Sequence, residues 1–344
     1  MHRARQCRVG HHGRFIGTGR ARAVTILGSI AIAILTGHAQ AQDTSGSTDA
    51  TRAATVSLLT SPASSAATSV ASPALSASAT VALPKVAASQ VGQLPLDRQV
   101  RWLTRAAQSG MLANMNDADL VALFKSLDPL TVPRYLKDGP NGYSSYEFTL
   151  LRRERINGRW PDQPDHMLVR VTREPRRVYA RWLPDGAHAG QEILYDETTR
   201  RNEMYGHLGG VLNIITMWTT LDGTLAHTQS RHSIRDLGTE YIAQQFLAEG
   251  QKYADLGVTR PNEIEVKTID GTRVVAFTYE SPVGRPDFYA KKEVLGLDLR
   301  RPYFRTAESF DNDGKIFESL VFQNIAPKTF DEATFSPKNP DYKF

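Results

Sequence analysis

From Tyr146 onward the chain falls into a period of two: Tyr146, Phe148 and Leu150 alternate with Glu147, Thr149 and Leu151. Successive strand residues point to opposite faces, so this stretch presents one apolar face and one mixed face. Asn157-Gly158 follows as a hairpin turn. The pattern recurs with Met167, Val169 and Val171, then Val178, Ala180 and Trp182, then Gln191, Ile193 and Tyr195. Turn formers such as Glu174-Pro175 and Pro184-Asp185-Gly186 close these runs. Strand patterns resume at residues 264–266, 274–279, 288–294, 303–310 and 316–322, the last two joined by Asn312-Asp313-Gly314. Turn signals this close together leave no room for crossover helices, which predicts an antiparallel meander of about nine strands.

Helical spacing frames the strands. Val100, Leu103, Ala107 and Met111 recur three to four residues apart, and Asn116 is a fitting cap for a second helix carrying Leu120, Leu123, Phe124 and Leu127. Mid-chain, Leu212, Ile215, Met217 and Trp218 form an apolar cluster read as part of a helical interlude. A long helix is expected from Ser233, with Leu237, Tyr241, Ile242, Phe246 and Tyr253 on one stripe. The predicted class is α+β, a curved antiparallel sheet covered by helices. Residues 93–136 form N-terminal helices in this reading, and 137–344 form the β domain with inserted helices. The pattern leaves open whether the first helices pack on the sheet or form a separate arm.

The chain's start sets its compartment. Arg3, Arg5, Arg8, Arg14, Arg20 and Arg22 precede an apolar run over residues 23–35, and Ala39-Gln40-Ala41 has the small-x-small form of a cleavage site. This is the layout of a secretory signal peptide, residues 1–41, cut after Ala41. The formal charge of +5 loses six arginines and no acid with that segment, leaving −1, so a nucleic-acid partner is not expected. Cys7, the single cysteine, leaves with it, which excludes disulfides, thiolate metal ligands and thiol catalysis. Residues 42–92, rich in Ala, Ser and Thr, read as a disordered linker. The expected location is the periplasm, with no membrane span.

Candidate site residues fall into three groups. Phe148, Leu150, Val169, Val178, Trp182, Tyr195, Trp218, Phe246, Phe277 and Tyr279, with Ala180, Ile193 and Phe322 beside them, would line a ligand pocket if the apolar face is hollow, or plain core if it is filled. Arg153, Arg155, Arg170 and Arg181 belong to an arginine-dense stretch suited to anionic groups. The competing reading is cross-strand pairing with Glu147, Glu154, Glu174 and Glu192. His227 and His232 with a carboxylate are the remaining metal or catalytic candidates, but no H-E-x-x-H spacing or G-x-S-x-G elbow supports them. No metal or cofactor is expected.

The segments Phe148-Thr149-Leu150-Leu151-Arg152-Arg153-Glu154-Arg155-Ile156-Asn157-Gly158, Val178-Tyr179-Ala180-Arg181-Trp182-Leu183 and Gly190-Gln191-Glu192-Ile193-Leu194-Tyr195 resemble the DUF1571 family of exported bacterial proteins. The strand pattern and the close, Phe335-Ser336-Pro337-Lys338-Asn339-Pro340-Asp341-Tyr342-Lys343-Phe344, resemble the LolA and LolB lipoprotein carriers more distantly. That resemblance implies a half-barrel and a noncatalytic role, holding an acyl chain, lipoprotein or other amphiphile in the cell envelope. The alternatives are an envelope interaction protein with a solid core and an arginine-rich face, or, third, a metal-dependent enzyme using His227 and His232.

Overall fold

The computed structural model describes residues 86–138, 143–210, 215–282 and 284–344. The expected signal peptide and nearly all of the expected linker lie outside them, as does Leu212. Eleven strands form one open antiparallel sheet: β1 (Ser145–Glu154), β2 (Asp165–Thr172), β3 (Arg177–Trp182), β4 (Glu192–Asp196), β5 (Glu203–His207), β6 (Met217–Thr220), β7 (Glu263–Ile269), β8 (Thr272–Glu280), β9 (Lys292–Asp298), β10 (Phe304–Phe310) and β11 (Ile316–Pro327). Their order is β6-β5-β4-β3-β2-β1-β11-β10-β9-β8-β7, two meanders joined where β1 pairs with β11. The predicted alternation is plain in β1 and β2, where every second residue is buried.

Helices α1 (Leu96–Gln108), α2 (Met111–Asn114), α3 (Asp117–Ser126) and α4 (Thr131–Asp138) lead into the sheet, and α5 (Thr239–Asp255) lies between its meanders in sequence. Asn116 caps α3 as its sequence suggests, its side chain accepting from the Asp119 amide. Such a cap stabilises by about 1 kcal/mol. The first helices pack on the sheet: Phe124 of α3 meets Phe277 of β8 edge-on with ring centroids 5.6 Å apart. Arg273 of β8 donates to the Ala113 and Met115 carbonyls at 3.0 and 2.8 Å. Phe246 of α5 meets Phe304 of β10 at 5.0 Å. Among the described residues no helix is long and apolar enough to cross a membrane.

Two expectations are corrected. Met217 and Trp218, assigned to a helical interlude, lie in β6, and β5 precedes it, so the chain is richer in sheet than its pattern suggests. Trp218 with Thr219 and Thr220 favours a pleated strand over a helix. Ser233 does not cap the long helix. It precedes a single 3₁₀ turn, Ile234–Asp236, and α5 starts only at Thr239. Leu237 is buried ahead of the helix rather than on its stripe.

On the opposite face of the sheet, the C-terminal segment covers β3 to β5. Tyr342 stacks on Tyr179 at 3.9 Å, and Phe344 meets Tyr205 at 5.3 Å.

Candidate functional site

The core face of β3 to β6 is covered by residues 221–238, a run of turns, rather than by a helix. The fit leaves an apolar cavity of about 200 Å³. Trp182, Ile193, Met204, Met217 and Thr219 line it from the strands, and Leu225, Ile234 and Leu237 from the cover. Gly206 sits in register between Ile193 and Met217. A Cβ there would fall 2.4 Å from the Glu192 carbonyl oxygen, so no side chain occupies that part of the wall. Ile215, Met217 and Leu225, exposed by 52, 45 and 41%, belong to the lining. They are three of the five strongly exposed large apolar residues among those described. Such residues scattered singly are ordinary; gathered at a cavity they mark a contact surface.

Three polar atoms of the cavity-lining residues, Trp182 Nε1, Gln191 Oε1 and His207 Nε2, are buried without a hydrogen-bond partner. The backbone of Trp182 donates to the Gln191 carbonyl at 2.9 Å, so the Trp182 and Gln191 side chains lie side by side across the end of β3 and the residue before β4. An unpaired buried polar group costs about 1–3 kcal/mol.

Arg152, Ser230 and His232 join the cavity lining to a network of buried charged groups. Arg152 donates to Asp165 from Nε and Nη2 at 3.1 and 2.7 Å, and to the Ser230 hydroxyl from Nη1 at 2.9 Å. Asp165 also meets His188 Nδ1 at 2.7 Å. Two residues along β1, Glu154 lies directly opposite Glu318 of β11. His232 reaches between them, its Nε2 at 2.5 Å from Glu318 Oε1 and 3.8 Å from Glu154 Oε1. Burial opposes a charged imidazole, yet its bond and attraction to Glu318, with Glu154 behind, hold the His232 pKa above its ordinary value. Burial would likewise raise the Glu318 carboxyl, but His232 and the Tyr289 hydroxyl hold it below the usual range.

The structure distributes the predicted residues unevenly. Trp182 and Ile193 line the cavity. Phe148, Leu150, Val169, Val178, Ala180, Tyr195, Phe277 and Phe322 are buried core, and Tyr279 is partly buried against it. Phe246 borders a hollow of only about 20 Å³. Trp218 lies on the other face from Met217, beside Tyr205 and under the Arg200 guanidinium. Arg155 pairs with Asp311 at 2.5 Å and Arg170 with Glu147 at 2.8 Å. Arg153 and Arg181 are half-buried on β1 and β3. His227 stands apart from His232, exposed, its Nδ1 3.3 Å from the Ser230 carbonyl.

Arg152, Glu154, Asp165 and Glu318 were not singled out as site residues, although a signal exists. Arg152 and Glu154 continue the phase of Tyr146, Phe148 and Leu150, which places two charges on the buried face of β1.

Among curated proteins none matches the chain. Similar solved structures include an uncharacterized conserved protein from Thermus thermophilus, 12% identical, covering 61% of this chain and 93% of its own, TM-score 0.34. The lipoprotein LppX of Mycobacterium tuberculosis is 14% identical, covers 59% and 98%, TM-score 0.32. A LolA superfamily protein from Nitrosomonas europaea is 10% identical, covers 61% and 98%, TM-score 0.27. The assignment rests on a family model instead: that of "Protein of unknown function (DUF1571)" matches residues 143–344, from just before β1 to the last residue. This chain belongs to the DUF1571 family.

Proposed function

We propose that the protein is a noncatalytic periplasmic binding or carrier protein whose cavity over β3 to β6 receives the apolar part of an amphiphile, an acyl chain in the simplest case. The observation that carries this reading is the clustering of Ile215, Met217 and Leu225 around an apolar cavity that the core has not filled. Each buried methylene contributes about 0.8 kcal/mol. A hollow of about 200 Å³ equals the liquid volume of roughly seven waters. Five methylenes there give about 4 kcal/mol, near the millimolar range. Useful affinity therefore needs more contact, and the exposed apolar rim supplies it for a longer chain. Trp182 Nε1 and Gln191 Oε1 offer one donor and one acceptor to a polar group of the guest. The division into signal peptide 1–41, linker 42–92, leading helices 93–136 and binding domain 137–344 belongs to the same proposal.

The test is direct. Protein purified without delipidation is extracted with organic solvent and the extract read by mass spectrometry. Copurified lipid near one per chain is expected, and its loss in Ile193→Trp, which fills the cavity while the fold is retained by circular dichroism. A clean extract from the unaltered protein, with no uptake of added acyl chains, rejects the carrier reading in favour of an interaction protein.

A further inference from the structure

Glu154, His232 and Glu318 come from β1, the cover segment and β11, and each has a side-chain atom already engaged by a neighbour. Glu154 Oε2 faces the Arg152 guanidinium at 3.7 Å. Glu318 Oε2 accepts from the Tyr289 hydroxyl at 3.0 Å and the Ser309 hydroxyl at 3.4 Å. His232 Nδ1 meets the Tyr241 hydroxyl at 3.0 Å. Each residue also turns one ligand atom toward the other two, and these lie within 4.8 Å of one another; of them, Glu154 Oε1 also accepts from the Arg231 amide at 3.3 Å and His232 Nε2 meets the Tyr289 hydroxyl at 3.1 Å. Ligands about 2.1 Å from a tetrahedral zinc ion stand about 3.4 Å apart. The distances from His232 Nε2, 2.5 Å and 3.8 Å, bracket that value.

The electrostatics point the same way. Glu154 and Glu318 are 5% and 3% exposed and sit opposite each other across the β1–β11 pair, an arrangement in which like charges repel. Arg152 donates to Asp165 and Ser230 and stands beside Glu154 at 3.7 Å, but it makes no ion pair with Glu318 and so does not bridge the two carboxylates. In this structure the group between them is the His232 ring. A divalent ion on Nε2 serves the same place with more charge, and with each outer atom of the triad anchored as ligating residues usually are. His232 and Ser230 also line the apolar cavity, which gives an ion a way in.

We propose that Glu154, His232 and Glu318 are a three-ligand site for a divalent metal ion. One imidazole and two carboxylates suit zinc and related first-row ions rather than magnesium or calcium. The site does not depend on the carrier reading: it uses the charged network beside the cavity, and an ion would bind with or without an amphiphile.

The experiment uses the full chain, dialysed against chelator and then titrated calorimetrically with zinc chloride. One zinc per chain is expected. His232→Ala and Glu318→Gln should each weaken binding at least a hundredfold, and Tyr241→Phe, which leaves all three ligands in place, about tenfold. His227→Ala, altering the exposed neighbour, should bind as the parent does. Cobalt(II) added to the unaltered protein gives a readout independent of the variants. Intense visible bands of a low-coordinate site are expected, whereas the faint colour of the hydrated ion overturns the proposal. No saturable zinc binding up to about 1 mM, or an unchanged isotherm in Glu318→Gln, overturns it as well.

Discussion

The two meanders of the sheet are built alike but covered differently. Over β7 to β10 lie helices α3 and α5, whose aromatic residues mesh with the strands: Phe124 with Phe277, Phe246 with Phe304, Tyr253 with Tyr279. The hollow left there is about 20 Å³. Over β3 to β6 lie turns, and the hollow is about 200 Å³. A helix delivers a ridge of side chains at regular spacing into a sheet. A run of turns delivers single residues, here Leu225, Ile234 and Leu237, and fills space poorly. Capacity for a guest therefore follows from the choice of cover rather than from the strands.

That contrast breaks first if truncations in the two halves are equally harmful. Phe277→Ala should destabilise by about 3–5 kcal/mol in urea unfolding, as expected for a large aromatic removed from a filled core. Met204→Ala, beside existing empty space, should lose about 1 kcal/mol or less; equal losses would falsify the distinction. Next in size is a pH effect in the filled half. Burial, followed by the charges of Glu249 and Glu318, pushes the Glu293 carboxyl from 4.5 up to about 7. The folded state then holds this proton more tightly than the unfolded chain, so stability falls as pH rises from about 4.5 to about 7. Glu293→Gln cannot ionise. Its stability relative to the parent should therefore climb through that window by up to about 3 kcal/mol and level off above it; a gain confined to acid pH contradicts the sign.

A smaller effect sharpens the role of the leading helices. Asn116→Ala removes the α3 cap and should lower stability by about 1 kcal/mol, which differential scanning calorimetry resolves as a drop in Tm. If Tm stays put, α3 is held by its sheet contacts alone. Smallest of all, Met217→Ser and Leu225→Ser alter the rim of the cavity and should move stability by less than about 0.5 kcal/mol. They should still reduce uptake of a fluorescent acyl probe. A large loss of stability would mean that these exposed side chains are structural.

Strands with an unbroken alternation were legible, β1 and β2 above all, because one face is buried and the other is not. So was the Asn116 cap, a local interaction complete within four residues. The short strands β5 and β6 were not. Gly206 interrupts the first, and the second relies on pairing that only the folded sheet reveals. The site was legible in fragments. Trp182 and Ile193 were expected at a pocket, but Met204 and Leu225 reach it through the path of the cover. His232 was paired in the sequence with His227, its near neighbour, whereas its partners are Glu154 and Glu318. No local spacing encodes a contact between strands so far apart along the chain.

The junction of β1 with β11 has a consequence for the order of assembly. β1 is among the first strands made and β11 is the last, yet they sit side by side at the centre of the sheet. Until β11 emerges, the inner edge of β1 has no hydrogen-bonding partner, and unpaired strand edges invite association with other chains. Contacts between segments so distant along the chain also slow folding. A nascent chain of this protein therefore needs its β1 edge shielded until synthesis is nearly finished, and a truncation that removes β11 exposes that edge permanently.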